Sequence, residues 1–185
     1  SVKLLAVGSM GGLEAARRGE CDIAPIHLLD PASGRYNESF LDPGMRLVPG
    51  YRRMQGVVTR SDEMRGSEAL LADPKLRMVN RNRGSGTRVL IDGLLGPRRP
   101  DGYAYEPRSH HAVAAAVAQG RADWGVTIET VARESGLRFR PLRSEHYDFV
   151  VPVSRLDRPA VRALIRLLEP GSALRAELEA AGFAS

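Results

Sequence analysis

Residues 75–95 read KLRMVNRNRGSGTRVLIDGLL. A short apolar run ends at Asn80, a tract of glycines, hydroxyls and arginines follows, and apolar residues return at helical spacing from about Thr87 to Leu95. That order, strand then glycine turn then helix, leaves free backbone N–H groups at the helix start, where the helix dipole favours negative charge. Gly84 and Gly86 let a ligand approach the backbone, and the Ser85 and Thr87 hydroxyls add directed donors. Arg81 and Arg83 bring positive charge beside them. The chemistry suits a small oxyanion. It is not that of a Walker A loop, since "GSGTR" carries Arg88 where that motif requires Lys. The competing reading is a helix cap and tight turn without a ligand.

Working outward, the same device recurs. "VGSMGGLEAA" (7–16) sets Ser9, Met10, Gly11 and Gly12 at the mouth of the first helix. "PRSHHAVAAAVA" (107–118) starts another helix with Ser109 as its cap, and a capped surface helix is the expectation for His110 and His111. In open α/β sheets ligands gather beyond the carboxyl ends of the strands, so two such turns sharing one anion is the expected arrangement.

The rest of the chain alternates strands with helices. "KLLAVGS" reads as a strand, "GGLEAARRGE" as a helix and "CDIAPI" as a buried strand, together a β-α-β unit. His27 to Gly44 is a long polar segment with turn signals at Asp30-Pro31 and Ser33-Gly34, the kind of loop that is functional or inserted. Residues 45–60 hold one or two strands, Leu70 and Leu71 a short helix, "KLRMVN" and "DGYAYEP" strands. The helix from Ser109 stops at Gly120, and a strand lies around Trp124 to Val126. "IETVARESGLRFRPL" repeats helix, glycine stop and strand; "YDFVVPV" is the last strand, before helices at 158–168 and 172–181. The fold class is α/β, mostly parallel.

Composition bounds the function. A chain of 185 residues suits one domain or two small lobes. With 43% hydrophobic and 26% charged residues, disorder is not expected. No apolar run approaches the ~20 residues of a membrane span. No charged-then-apolar leader opens the chain, so a signal peptide is expected to be absent or already removed. Cys21 is the single cysteine; with apolar company in "GECDIAPI" it reads as a small core residue. The net charge is +5, from 27 basic and 22 acidic residues, and only Lys3 and Lys75 are lysines. The arginines are scattered, as on a solvated surface, with no dense block for nucleic acid.

Four stretches taken together, "GSMGGLEAARRGECDIAPIHLLDPASGRYN", "NRNRGSGTRVLIDGLL", "HHAVAAAVAQGRADWGV" and "PLRSEHYDFVVP", resemble the periplasmic-binding-protein-like domains of bacterial cytoplasmic proteins. Those domains occur attached to helix-turn-helix modules or to molybdopterin-biosynthesis proteins, and are similar to the substrate-binding proteins for molybdate and tungstate. The resemblance covers nearly the whole chain. It implies a type-2 binding-protein fold: two α/β lobes, a central cleft and two crossing hinge strands, near Tyr51 to Val58 and at "HYDFVV". Lobe I would be 1–50 with 146–185, and lobe II 51–145. The ligand would meet Ser9, Met10 and Gly11 at the first turn, and Arg83, Ser85, Gly86 and Thr87 at the second. Tyr147 would lie near it at the return crossing, and His27 and Ser109 are further candidates. Members of the family usually begin with another strand and helix. That unit is missing here, so the site is expected to be incomplete.

An enzyme would show a nucleophile beside a base, or paired carboxylates. The four histidines lack the spacing of a metal motif, and no G-x-S-x-G elbow occurs. No catalysis, metal or cofactor is therefore expected; a phosphate-handling enzyme is the enzymatic rival. A nucleic-acid-binding regulator is the third class, with DNA contacted only through an attached domain. The expectation is a cytoplasmic binding or sensing domain for molybdate or tungstate, in molybdenum cofactor metabolism or its transcriptional regulation. The alternative is a periplasmic or extracellular solute-binding component serving an ABC permease.

Overall fold

A glycine opens the first helix. Gly8 has φ +71°, a left-handed conformation that L side chains rarely adopt, and α1 (Gly8–Arg17) follows from it. The computed structural model describes residues 3–5, 7–60 and 67–184. After α1 come β1 (Ala24–Ile26), β2 (Met45–Thr59), α2 (Ser67–Ala72), β3 (Met78–Val79) and α3 (Gly86–Leu95). The remaining elements are α4 (His110–Ala118), β4 (Trp124–Ile128), α5 (Glu129–Glu134), β5 (Arg138–Pro152), α6 (Pro159–Leu168) and α7 (Ala173–Ala180). No helix among the described residues is long and apolar enough to cross a membrane.

The strands form one sheet in the order β1-β5-β2-β4-β3. β3 and β4 are parallel, Met78 opposite Trp124. β1 and β5 are antiparallel, Ala24 opposite Val150, as are β2 and β4, Gln55 opposite Ile128. The mostly parallel sheet read from the sequence is thus corrected to a mixed α/β sheet. Alternating strand and helix patterns show that crossovers are available, but direction belongs to the pairing and not to any local pattern. Two 15-residue strands, β2 and β5, account for the difference: each is continuous where shorter strands were expected.

By packing, the chain divides into two compact units. The first comprises 1–52, 84–86 and 146–185; the second comprises 53–83 and 87–145. The core of the first is Leu13, Ala24, Ile26, Leu28 and Val150, with a second cluster of Val48, Val151, Val161 and Leu168. The second unit is built on Trp124, fully buried with Val57, Leu70, Met78, Ile91, Leu95 and Val126. Its α4 is alanine-rich and lies close on β4. A Cβ added at Gly125 would come within 2.8 Å of the Val113 side chain and 2.7 Å of the Val79 side chain, so the approach requires glycine.

The long loop after β1 is pinned by one side chain. Asn37, fully buried at φ 67°, accepts the Leu28 N–H at 2.8 Å and donates to Asp148 at 2.7 Å. Asp148 in turn accepts the Gly50 N–H at 3.0 Å.

Two expected strands are absent. In "KLLAVGS", Leu4 is 89% and Leu5 69% exposed with no partner strand among the described residues, while Ala6 lies outside them. An apolar run becomes a strand only where a neighbour offers a ladder. "DGYAYEP" instead starts as a turn at 101–104 and then follows β3 irregularly, its Asp101 and Tyr105 carbonyls accepting the Met78 and Asn80 N–H groups.

Candidate functional site

In the first unit the start of α1 faces the end of β1. Ser9 is 2% exposed, and its hydroxyl oxygen accepts the His27 N–H at 3.3 Å. Met10 is exposed, and Gly11 lies against Val7. The glycine stretch 84–86 packs in this same unit: a Cβ on Gly86 would stand 2.1 Å from the His27 carbonyl and 2.5 Å from its Nδ1. Only glycine permits that approach. Ser85 is buried beside it. The His27 ring stacks on Tyr147 at 5.4 Å between centroids, and Tyr147 on Tyr51 at 5.0 Å. The structure therefore brings Ser9, His27, Tyr147, Ser85 and Gly86 into one unit.

In the second unit the chain after β3 turns Arg81 inward and Arg83 outward. The Arg83 side chain is 85% exposed, 3.8 Å from Glu106. Arg81 is only 6% exposed. Its Nη1 lies 3.2 Å from Nε2 of His110, its Nη2 donates to the Arg108 carbonyl at 3.3 Å, and its Nε has no hydrogen-bond partner. It forms no ion pair with a described carboxylate. Burial first, and then the charge of Arg53, pull its pKa down to about 10, while Glu145 acts the other way. The cation persists at neutral pH at a cost that an anion would relieve.

Arg88 holds this turn in place. It donates to Asp92 at 2.9 Å, Glu106 at 2.6 Å, Tyr103 at 2.7 Å and the Arg81 carbonyl at 3.0 Å. Burial alone would lower its pKa, but the hydrogen bonds it donates to Glu106, Tyr103 and Asp92 outweigh it and raise the value. Thr87, next to it on the first turn of α3, is fully buried, and its hydroxyl has no hydrogen-bond partner. Buried polar atoms are normally paired, so an unmet hydroxyl and an unmet guanidinium N–H mark unspent bonding capacity.

The third turn behaves differently. Ser109 is exposed and accepts the Ala112 N–H at 3.1 Å, a helix cap. His111 is exposed, 3.5 Å from Glu134. His110 departs from the expected surface helix, because its ring turns inward between Arg81 and the Thr127 hydroxyl, 3.2 Å from Nδ1. Sequence reasoning missed Arg81 as the buried cation, and with it His110, Thr127 and the pair in which the Arg53 Nε donates to the fully buried Glu145 carboxylate. The only signal was the position of Arg81 directly after an apolar strand. Cys21 is half-buried, and burial pushes its thiol up, away from nucleophilic reactivity. No cluster of three or more His, Cys, Asp or Glu among the described residues is placed to hold a metal.

Comparison with known proteins bears on this geometry. A model of the PBP superfamily domain matches residues 1–169. The uncharacterized protein YvgK of Bacillus subtilis (strain 168) is 33% identical over 156 residues, 78% of this chain and 51% of that protein. The chain thus spans about half the length of that relative. Among solved structures, a putative phosphate ABC transporter substrate-binding protein with bound phosphate, from Clostridium perfringens, aligns with TM-score 0.70 at 12% identity. That alignment covers 96% of this chain and 84% of the other. An OxyR mutant from Corynebacterium glutamicum aligns with TM-score 0.60 at 20% identity, over 91% of this chain and 52% of that one.

Proposed function

The chain belongs to the PBP superfamily, and on that premise we propose that it binds a small oxyanion, with the buried Arg81 as countercharge. One observation carries the reading: a guanidinium 6% exposed, without a carboxylate partner among the described residues, has an unmet Nε in the same turn as the unmet Thr87 hydroxyl. An anion with several oxygens supplies the missing acceptors and the missing charge together. Ser85, Gly86, Ser9, Met10, Gly11, His27 and Tyr147 remain candidates for contact in the first unit.

Molybdate or tungstate is the ligand we put first. Both carry full charge without a proton at neutral pH, which suits a set of donors. Phosphate is the second reading, favoured by the phosphate-bound structure of similar fold. We place the domain in a cytoplasmic sensing protein of molybdenum metabolism, any DNA contact lying in another segment; a solute-binding component of an ABC transporter is the alternative.

The test is a calorimetric and thermal-shift panel of molybdate, tungstate, sulfate and phosphate against chloride. A ligand at a hundred times its dissociation constant should add about 2.7 kcal/mol of stability. Molybdate should displace phosphate; the reverse order selects the second reading. A panel in which no oxyanion exceeds chloride at millimolar concentration sinks both.

A further inference from the structure

We propose that Asn37 is a positioning residue of the oxyanion site, acting through His27 and Tyr147. This rests on the oxyanion reading above, in which both are contact candidates, and concerns the first unit alone. Asn37 is the only non-glycine residue with positive φ among the described residues, at φ 67° and ψ −45°. Across it the Glu38 N–H donates to the Tyr36 carbonyl at 2.7 Å. These are the marks of a γ-turn in its strained hand, which persists only where the surroundings over-determine it. Such strain gathers at ligand clamps and switch regions. Here the turn is fully buried.

What over-determines it is a set of hydrogen bonds on both sides of one ring stack. Leu28, next in the chain to His27, is held twice: its N–H by Asn37 Oδ1 at 2.8 Å, its carbonyl by the Asn37 N–H at 2.9 Å. Nδ2 of Asn37 donates to the His146 carbonyl at 3.2 Å and to Asp148 at 2.7 Å, the two residues that flank Tyr147. A donor at Leu28 and acceptors at His146 and Asp148 admit one orientation of the amide. Asp148 is also the ladder partner of Ile26 and accepts the Gly50 N–H at 3.0 Å. Asn37 thus ties the residue after His27 to the residues on either side of Tyr147, and those two rings stack at 5.4 Å with planes 13° apart. The Tyr36 ring adds a second stack, on His146 at 5.3 Å. His27 in turn sets how closely the glycine stretch approaches, because its carbonyl and Nδ1 stand where a Gly86 side chain would be. A satisfied buried network holds such a geometry rigidly. Glycine would take the same φ without strain, but it has no amide to join the two strands.

Tungstate and phosphate, titrated into the folded variants, are the probes. Asn37→Gly keeps the backbone and removes the amide. Asn37→Asp keeps the acceptor for Leu28 and sets a second carboxylate against Asp148. Each should weaken whichever anion the unmodified protein binds by about tenfold, the scale of one hydrogen bond. Adding Asp148→Asn to Asn37→Asp reverses donor and acceptor across the pair and should bring affinity back to within about threefold of the unmodified protein. A turn that merely anchors the loop would lower the denaturation midpoint and leave the dissociation constant of the folded protein where it was. That result, or a folded double variant that does not recover binding, overturns the role of Asn37 and leaves the oxyanion reading standing. Should both Asn37 variants fail to fold, Asp148→Asn alone, nearly isosteric, carries the same comparison with the same loss expected. If the unmodified protein binds neither anion, both readings fall.

Discussion

The start of α1 and the turn from Arg81 to Thr87 look alike in sequence, each a glycine-and-hydroxyl tract at a helix mouth, and differ in how completely their polar atoms are met. At α1 the Ser9 hydroxyl is already engaged by the His27 N–H, and no charged side chain stands beside it in that contact. In the Arg81–Thr87 turn a buried hydroxyl and a buried guanidinium N–H have no partner. The difference teaches that the motif alone does not mark a site. A turn whose hydroxyl is already engaged as an acceptor within its own unit carries no such mark. One that retains buried unmet donors and a positive charge has paid desolvation without return, and a ligand is the simplest source of that return.

The sharpest way to break the comparison is Arg81→Met. Removing one partner of a buried, hydrogen-bonded charge pair should cost about 2–5 kcal/mol of oxyanion binding, measured by titration calorimetry. Denaturant melts without ligand should show stability unchanged or raised, because an apolar side chain replaces a cation with no carboxylate partner among the described residues. Arg83→Met is the companion. Its side chain is 85% exposed, so affinity should stay within about twofold at physiological salt. Equal losses for the two arginines would show that burial is not what distinguishes them.

Thr87→Val is the next test in size. The shape is kept and the hydroxyl removed, so anion affinity should fall by roughly 1.5–3 kcal/mol. Stability without ligand should hold or rise, since the hydroxyl is fully buried without a partner. A cap would show the opposite, a stability loss of about 1 kcal/mol with affinity intact. The smallest effect belongs to Ser9→Ala. It removes the acceptor of the His27 N–H and should lower stability by about 1 kcal/mol, read from the denaturation midpoint. If it instead lowers anion affinity as much as Thr87→Val does, the two turns are equivalent and the contrast between them dissolves.

Much of the local structure was legible. The glycine tract followed by apolar residues at helical spacing located α3 to within a residue of its start at Gly86. Ser109 and Gly120 bracketed α4, with Ser109 in the capping role. The short helix read around Leu70 and Leu71 is α2, Ser67–Ala72. The candidate residues were harder. Arg81 and Arg83 are two positions apart in one polar tract, and nothing local says that one is desolvated while the other is solvated. His110 and His111 are adjacent at a helix start, and only the packing of α4 against β4 sends one ring inward.

What the sequence determined by itself was therefore what depends on near neighbours: where helices begin and stop, which runs are apolar enough to bury, and which turns need glycine. These follow from backbone sterics and side-chain periodicity over a few residues. The tertiary structure alone decided the antiparallel pairing of β1 with β5 and of β2 with β4, and the lack of a ladder partner for Leu4 and Leu5 among the described residues. It also decided the burial of Arg81 beside His110 and the pairing of Arg53 with Glu145. Ladder direction, desolvation and ion pairing are set by groups that meet across dozens of residues, as Arg53 and Glu145 do across 92. Their energies exist only once the chain has closed around them.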